Sequence, residues 1–366
     1  RVDVCEEDDR VLMRVIDYKS GAKKFEMEDF YYGLELQLII YMNAAEEIYH
    51  KETEKEVTPA GVFYYQLQDP IVKADYAEEE SLLKNFRMSG MANSDGDILN
   101  KLEIEYFFYI GGNDSMDTIK KLSDYSLLNG SDIRFMGVPK TIDNDLWGTD
   151  MTFGFQSAVD VATNAIDCIH TTAASHGRVF IVEIMGHKVG SLTLNAGVAG
   201  GADVILIPEI PYDINKVAEA IQKRNKAGKR FTILAVAEGA ISKEDAELPK
   251  KKYKEKLAER AKKYPSVSYE IADQIQQVTG SEVRITVPGH MQRGGEPCAY
   301  DRVLSTRIGA GAAQAIMDEE YGVMIGVING KIKRVPLAEC AGKLKMVSPK
   351  DQLVKAAKQI GISFGD

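Results

Sequence analysis

Short apolar runs alternate with amphipathic segments from about residue 101 to the end of the chain. The runs EYFFYIGG, IRFMGVP, GRVFIVEIMG, ADVILIPEI, FTILAVAEG and VRITVPG are typical of buried strands. The segments between them include SMDTIKKLSDYSLL, FQSAVDVATNAIDCIHTTAAS, INKVAEAIQKRNKAG and RVLSTRIGAGAAQAIMDEE, which are predicted helices. This alternation predicts a doubly wound α/β fold with a mainly parallel sheet. Near the end, GVMIGVINGKIKRVPL predicts a hairpin that turns at Asn329 and Gly330.

Composition and charge exclude several classes of protein. The chain has 366 residues, 45% of them hydrophobic, which indicates a folded protein with one large or two smaller domains. A net charge of −10 argues against a surface that coats nucleic acid. The four cysteines are far apart and favour neither a disulfide framework nor a zinc site. Without a long apolar run or a visible signal peptide, no membrane span and a cytoplasmic location are expected.

Nearly every predicted strand after residue 101 ends in Gly, Pro or a charged residue. These ends read GGND, GVPKTIDND, EIMGHKVG, PEI, AEGA and PGHMQRGG. The carboxyl ends of parallel strands meet at one edge of a sheet, where ligands bind. We therefore expect these segments to converge on one rim. Asp143 and Asp145 in PKTIDNDL would alone suggest a turn, because Asp and Asn are common turn residues, but the shared rim favours a functional interpretation.

The residues of this rim suit phosphoryl transfer, which needs mainly positioning and charge neutralisation. Gly111 and Gly112 allow backbone N–H groups to approach an anion, although tight strand–helix turns often need glycine anyway. Lys140 is a candidate point charge for a phosphate. Asp143 is a candidate general base, and Asp145 could hold that carboxylate or a metal.

Four further residues offer positive charge or a hydrogen bond to a substrate. They are Arg178, Arg284, His290 and Arg293. Arginine binds phosphate through two parallel hydrogen bonds. Taken singly, each arginine is more often a solvated surface residue and a lone histidine is more often structural.

PKTIDND, MGHKVG, IPE and PGHMQRGG, in that order, resemble the phosphofructokinase family. The resemblance runs from about residue 101 to the C-terminus. It implies doubly wound, mainly parallel sheets, and phosphorylation of the 1-hydroxyl of fructose 6-phosphate in glycolysis with Mg²⁺ as cofactor. The family's first strand and glycine-rich donor-binding loop have no counterpart in residues 1–100, so we expect this part of the fold to be missing.

The resemblance also implies roles for individual residues. Asp143 is similar to the catalytic base of the family, with Thr141 and Asp145 as supporting neighbours. The expected contacts to the sugar and its 6-phosphate are Met185, Gly186, His187, Glu209, His290 and Arg293, although many members carry Arg at the position of His187. Arg178 and Arg284 are similar to arginines that reach the sugar phosphate of a neighbouring subunit. A homo-oligomer with shared sites is therefore expected.

Three positions bear on the phosphoryl donor and its metal. Members that use ATP usually have glycine at the positions of Asp114 and Lys140, whereas members that use pyrophosphate have Asp and Lys. A carboxylate at Asp114 would repel the α-phosphate of ATP, and Lys140 would offset charge on pyrophosphate. We therefore expect pyrophosphate as donor, with an ATP-dependent 6-phosphofructokinase as the alternative. Asn113 stands where the family usually has an aspartate that helps to hold Mg²⁺, and an amide is the weaker ligand.

Residues 1 to about 97 resemble a different protein, the C-terminal nuclease domain of AddB in the RecB-like nuclease group. VIDYKSG, GLELQLIIYMNAA and LLKNFRMSGMANSD carry the resemblance. Asp17 and Lys19 match a D-x-K pair that binds Mg²⁺ and activates water. Gln37 and Tyr41 match a downstream Q-x-x-x-Y. The alternative is an exposed strand and an amphipathic helix that match by chance.

The sequence therefore predicts two parts, an α/β nuclease-like fragment at 1–97 and a phosphofructokinase-like domain at 101–366. The predicted junction lies between Ser94 and Leu102. The nuclease group's upstream metal aspartate and cluster cysteines have no counterpart here, so no nuclease activity is expected. DNA is a partner only if the N-terminal fragment is functional. An inactive chimera is the remaining hypothesis.

Overall fold

The computed structural model describes residues 2–6, 10–19, 37–53, 55–66, 89–92, 106–130 and 133–366. The chain packs as two compact units. The first comprises Arg1–Glu105 with Ser126–Ile133, and the second Tyr106–Tyr125 with Arg134–Asp366. Among the described residues, no helix is both long and apolar enough to span a bilayer.

The described part of the first unit contains a small sheet and one helix. Its elements are β1 Val2–Glu6, β2 Arg10–Lys19, α1 Gln37–Thr53, β3 Glu56–Gln66 and β4 Ser89–Ala92. The strand order is β1-β2-β3-β4, and β2 and β3 run parallel. Alternate residues of β2, Val11, Met13 and Val15, pack with Leu38 and Met42 of α1 because successive strand residues face opposite sides. This is the α/β fragment that the sequence predicts.

The second unit contains two sheets. The strands of the first are β5 Tyr106–Gly111, β6 Arg134–Thr141, β7 Phe153–Gly154, β12 Val323–Ile328 and β13 Lys331–Pro336. Their order is β13-β12-β6-β5, with β7 beside β6. The helices near these strands in sequence are α2 Asn113–Leu128, α9 Ala299–Met317 and α10 Leu337–Cys340. The hairpin prediction is confirmed: β12 and β13 are antiparallel, and Asn329 and Gly330 have φ of 50° and 72°.

The second sheet is entirely parallel, in the order β11-β8-β10-β9. Its strands are β8 Val179–Ile184, β9 Val204–Leu206, β10 Thr232–Ala237 and β11 Val283–Thr286. Every residue of β8 and β10 is buried, as expected for strands covered on both faces. The accompanying helices are α3 Phe155–His176, α4 Ser191–Ala199, α5 Ile214–Lys226, α6 Lys243–Ala246, α7 Lys250–Lys263, α8 Val267–Thr279 and α11 Gln352–Gln359.

The expectation of one common rim was wrong in one respect. GGND and PKTIDND follow β5 and β6 of one sheet, whereas EIMGHKVG, PEI, AEGA and PGHMQRGG follow strands of the other. The apolar runs that predicted the strands carry no information on which strands pair. The predicted α/β fold with mainly parallel sheets is confirmed.

Candidate functional site

The loop after β6 has a fixed shape because its own side chains bond its backbone. Thr141 Oγ1 accepts a hydrogen bond from Asp143 N at 3.1 Å. Asn144 adopts a left-handed backbone with φ of 51°, which Asn tolerates better than most residues. Its Oδ1 accepts a hydrogen bond from Thr152 N at 3.1 Å. Asp143 is half-buried and Asp145 is buried, so both carboxylates lie at the edge of the protein interior.

The GGND turn lies beside this loop. Gly111 pairs with Pro139 in the parallel register of β5 and β6. A Cβ on Gly112 would lie 3.6 Å from Thr141 Cβ, so the two strand ends are in contact. Helix α2 begins at Asn113, and its N-terminus favours an anion at this place. The structure thus brings Gly111, Gly112 and Thr141 together.

Ends of the second sheet form a tightly packed group of loops. Gly186, after β8, has φ of 126° and donates from N to Glu238 Oε1 at 3.3 Å. Met185 N donates to Gln292 Oε1 at 3.1 Å, which connects β8 to the short helix Gly289–Arg293. A Cβ on Gly239 would lie only 1.9 Å from the carbonyl oxygen of His187. The segment MGHK is therefore held from two sides.

Glu209 links two further segments to this group. Both of its carboxylate oxygens accept from Gly190 N at 3.0 Å, and Oε1 also accepts from Val347 N at 3.0 Å. The Glu209 carboxylate, which is predicted to contact the sugar, thus already accepts hydrogen bonds from two backbone N–H groups.

Burial raises the pKa of the Asp143 carboxyl above its usual value. The charge of Arg293 lowers that pKa, that of Glu238 raises it and that of His187 lowers it. These three residues belong to the second sheet's loops, so the Asp143 loop lies near them. We call the region where the loops of the two sheets meet the cleft. Burial likewise raises the pKa of Asp145, and Asp143 adds to the effect. Raised carboxyl pKa values are typical of general bases.

Arg178 and Arg284 are not brought to this cleft. Arg178 precedes β8 and Arg284 lies early in β11, whereas the cleft residues follow the ends of these strands. A strand of six residues is about 20 Å long, so the arginines lie at the opposite end of the sheet. Both pair with Glu282, and Arg178 Nε lies 2.5 Å from its Oε2.

The other predicted site residues lie on the surface. Asp114, Lys140, His187, His290 and Arg293 are all exposed. Sequence reasoning did not single out Gln292, Glu238 or Lys345. Gln292 lies inside PGHMQRGG and Glu238 inside AEGA, two of the polar strand ends, whereas Lys345 has no local signal.

A metal site is not apparent from clustered ligands. The described residues contain no group of three His, Cys, Asp or Glu side chains that could hold a metal ion. Two buried oxygens, Asn113 Oδ1 and Asp145 Oδ1, have no hydrogen-bond partner among the described residues. Oxygens of this kind are suitable ligands for a hard cation.

The nuclease-like residues stay a prediction. Asp17 and Lys19 end β2, and Gln37 begins α1, but their side chains lie outside the described part of the chain. The Tyr41 side chain is 44% exposed on α1.

Comparison with known proteins gives two family matches. The model of the family "Phosphofructokinase" matches residues 83–316, and that of the "PD-(D/E)XK nuclease superfamily" matches residues 1–109. The first match covers more than half of the chain.

Relatives and solved structures agree with the first match. An ATP-dependent 6-phosphofructokinase of Spirochaeta thermophila is 46% identical over 267 residues, 73% of this chain and 71% of the relative. One of Chloroflexus aurantiacus is 50% identical over 231 residues, 63% of this chain and 62% of the relative. The structure of a pyrophosphate-dependent phosphofructokinase from Marinobacter aquaeolei superposes with a TM-score of 0.61 at 22% identity, covering 86% and 85% of the two chains.

Proposed function

This chain belongs to the phosphofructokinase family, and we propose that it transfers a phosphoryl group to the 1-hydroxyl of fructose 6-phosphate. The product is fructose 1,6-bisphosphate. The observation that carries the proposal is the placement of Asp143: it follows Thr141, which contacts the GGND turn, and the charges of Arg293 and His187 act on it.

Asp143 takes the proton of the 1-hydroxyl as that oxygen attacks the terminal phosphorus of the donor. The new P–O bond forms while the bond to the leaving phosphate or nucleotide breaks, and the leaving group keeps that electron pair. A carboxylate with a raised pKa is a stronger base than a solvated one, which suits this step. Backbone N–H groups of the GGND turn bind the donor phosphates. Met185, Gly186, His187 and His290 bind the sugar, and Arg293 binds its 6-phosphate.

ATP is the donor that the relatives support. The two described above are named as ATP-dependent and are 46% and 50% identical to this chain. The expectation of pyrophosphate has no such support from them, and the pyrophosphate-dependent structure is similar in fold alone. Pyrophosphate remains the second candidate because of two residues: the Asp114 carboxylate would repel the α-phosphate of ATP, and Lys140 would neutralise charge on pyrophosphate.

Mg²⁺ fits the oxygens available in the cleft. Asn113 Oδ1 and Asp145 Oδ1, both buried and without a partner in the described part of the chain, would hold it together with phosphate oxygens and water. When bound, Mg²⁺ neutralises charge on the transferred phosphoryl group. Asp143 itself keeps its role as base.

A site shared between subunits is part of this proposal, and the position of Arg178 and Arg284 supports it. Because both lie at the far end of the sheet from Asp143, a sugar phosphate that they contact belongs to another copy of the chain. Glu282 forms ion pairs with both arginines until such a phosphate replaces it.

The test measures fructose 1,6-bisphosphate formation with Mg²⁺ and either ATP or pyrophosphate. Asp143→Asn is expected to lower kcat by about 10²–10⁴-fold, because general base catalysis contributes that much. The affinity of this variant for fructose 6-phosphate, measured by calorimetry, should be retained. Unchanged turnover in this variant would exclude Asp143 as the base.

The variants Asp114→Gly and Lys140→Gly distinguish ATP from pyrophosphate as the donor. If ATP is the donor, Asp114→Gly should raise kcat/KM for ATP, since a like charge is removed. If pyrophosphate is the donor, Lys140→Gly should lower kcat/KM for pyrophosphate. Turnover with neither donor in a folded sample would support the inactive chimera. The nuclease hypothesis has a separate test, which is Mg²⁺-dependent DNA cleavage that Asp17→Ala abolishes.

A further inference from the structure

The Lys345 side chain is bound to the loop that carries Asp143. Its Nζ donates to Asn144 Oδ1 at 2.8 Å, to the Thr149 carbonyl at 2.8 Å and to the Asp150 carbonyl at 3.0 Å. An ammonium group has three N–H donors, so all three are used. Such charge-assisted bonds are stronger than bonds between neutral groups.

The backbone around Lys345 binds the same loop. Lys345 N donates to the Asp145 carbonyl at 2.8 Å, and Leu344 forms an antiparallel bridge with Leu146. Two residues further on, Val347 N donates to Glu209 Oε1. Residues 344–347, which we call the strap, therefore connect the Asp143 loop of one sheet to the Glu209 loop of the other.

Asn144 is the point at which Lys345 acts on the candidate base. It lies between Asp143 and Asp145 in a left-handed backbone conformation that needs support from its surroundings. Its Oδ1 accepts from Lys345 and Thr152, and its Nδ2 donates to the Asp150 carbonyl at 3.2 Å. Without the ammonium, the Oδ1 of Asn144 and two backbone carbonyls lose a charged donor at once.

Resting on the proposed function, we propose that Lys345 is a positioning residue: its ammonium group fixes the shape of the loop 141–152, and thereby the direction in which Asp143 presents its carboxylate. Lys345 itself takes no part in the proton transfer. A displacement of a reacting group by about 1 Å lowers a rate by about 10²-fold, so a distant lysine can control kcat in this way.

The chain contains its own reporter of this loop. Its single tryptophan, Trp147, lies between Asn144 and Thr149, both of which accept from Lys345, and is 49% exposed. A change in the loop therefore changes the environment of the only indole. Lys343, exposed and two residues from Lys345, is the matched control.

The experiment compares wild type, Lys345→Met, Lys345→Arg and Lys343→Met. Lys345→Met is expected to lower kcat by about 10–100-fold, the range seen for residues that orient a reacting group, with KM for fructose 6-phosphate unchanged within about threefold. It should also increase quenching of Trp147 by acrylamide. Lys345→Arg, which keeps the charge, should recover part of kcat, and Lys343→Met should resemble wild type. A folded Lys345→Met protein with wild-type kcat and wild-type quenching would overturn the proposal.

A second measurement needs no folded variant. Reductive methylation of the wild-type chain, followed by mass spectrometry, gives the reaction rate of each lysine. Burial lowers the pKa of Lys345 to about 8, so the rates are measured across a pH series and compared for the unprotonated amines. The unprotonated Lys345 amine is expected to react at least about tenfold more slowly than that of Lys343, because it is part-buried and bonded to three oxygens. Equal rates would overturn the proposal. If the wild type turns over with neither donor, the proposed function fails, whereas Trp147 quenching and methylation still decide whether Lys345 holds the loop.

Discussion

Both carboxylate oxygens of Glu209 accept a hydrogen bond from the backbone N–H of Gly190, each at 3.0 Å. Gly190 precedes helix α4, and a Cβ there would lie 2.4 Å from Ile207 Cβ and 2.9 Å from Glu209 Oε2, so the close approach needs glycine. The same carboxylate also binds Val347 N in the strap. Glu209 is therefore part of the scaffold of the site in addition to its predicted contact with the sugar.

Glu209→Gln is expected to lower the free energy of unfolding by about 1–3 kcal/mol, since hydrogen bonds to a charged group contribute in that range. The amide keeps one acceptor oxygen but turns a donor toward an N–H group. Urea denaturation measures the change, and Glu255→Gln on the exposed surface of α7 is the control. If wild type and Glu209→Gln are equally stable, the Glu209 carboxylate does not stabilise the fold and its role is limited to the sugar contact.

Gly239→Ala is expected to move the MGHK segment, because its Cβ would lie 1.9 Å from the His187 carbonyl oxygen and backbone must shift. We expect a rise in KM for fructose 6-phosphate of about tenfold or more, equivalent to the loss of about 1.4 kcal/mol of binding. Steady-state kinetics measure this effect.

The control for this variant is Gly309→Ala in the middle of helix α9. Beyond its chain neighbours and the nearby backbone of its own helix, a Cβ there meets no atom within 4 Å among the described residues, and alanine stabilises a helix over glycine by about 1 kcal/mol. Gly309→Ala should therefore raise the thermal midpoint and leave KM unchanged. A Gly239→Ala protein with wild-type KM would show that the MGHK segment does not contact the sugar.

The sequence predicted the strands well where burial alone determines them. β8 and β10 are apolar at nearly every position because helices cover both faces, and such runs are visible without a structure. Which strands belong to which sheet was not predicted, since pairing is determined by the packing of distant segments. Helix α7 was also missed: none of its residues is buried, so KKKYKEKLAERAKK has no apolar stripe to predict it.

The same reasoning explains which parts of the site were found. Asp143 and Glu209 lie in short motifs at strand ends. A polar residue that follows an apolar run is a pattern that the sequence alone shows. Lys345 binds residues about two hundred positions away, and its surroundings in the sequence, GKLKMV, are not distinctive. Contacts between residues this far apart in the sequence can be identified only in the folded chain.

Asp245→Asn is expected to destabilise the chain at neutral pH. The Asp245 side chain is 1% exposed and lies 2.5 Å from both Lys256 Nζ and Arg260 Nη2. Burial alone would raise its pKa, but hydrogen bonds from these two residues outweigh burial and lower it. In the variant, Lys256, which is 45% exposed, is solvated and Arg260 keeps its pair with Glu270, so we expect the free energy of unfolding to fall by about 1.5–3 kcal/mol, the range of hydrogen bonds to charged groups. Thermal denaturation at pH 7 measures the loss.

The pH dependence of this effect has a definite sign. A carboxyl whose pKa is lower in the folded state stabilises the fold above its unfolded pKa of about 3.9, and this contribution is lost as the pH falls through the folded pKa. The difference between wild type and Asp245→Asn should therefore shrink in acid. A difference that is constant from pH 7 to pH 3 would exclude the ion pairs as its cause.

Asp145→Asn is expected to change stability in the opposite direction. Burial and the charge of Asp143 raise the pKa of Asp145, so the folded state holds its ionised form at a free-energy cost above the folded pKa. The uncharged amide removes this cost, and the variant should be more stable than wild type at pH 7 although its phosphoryl transfer is impaired. Below the unfolded pKa, about 3.9, the Asp145 carboxyl is protonated in both the folded and the unfolded state. The difference in stability between wild type and Asp145→Asn should therefore disappear. Thermal denaturation of both variants across the same pH series measures the two effects together. A lower thermal midpoint of Asp145→Asn at pH 7 would mean that the Asp145 carboxylate is bound by a favourable partner, such as a cation, in solution.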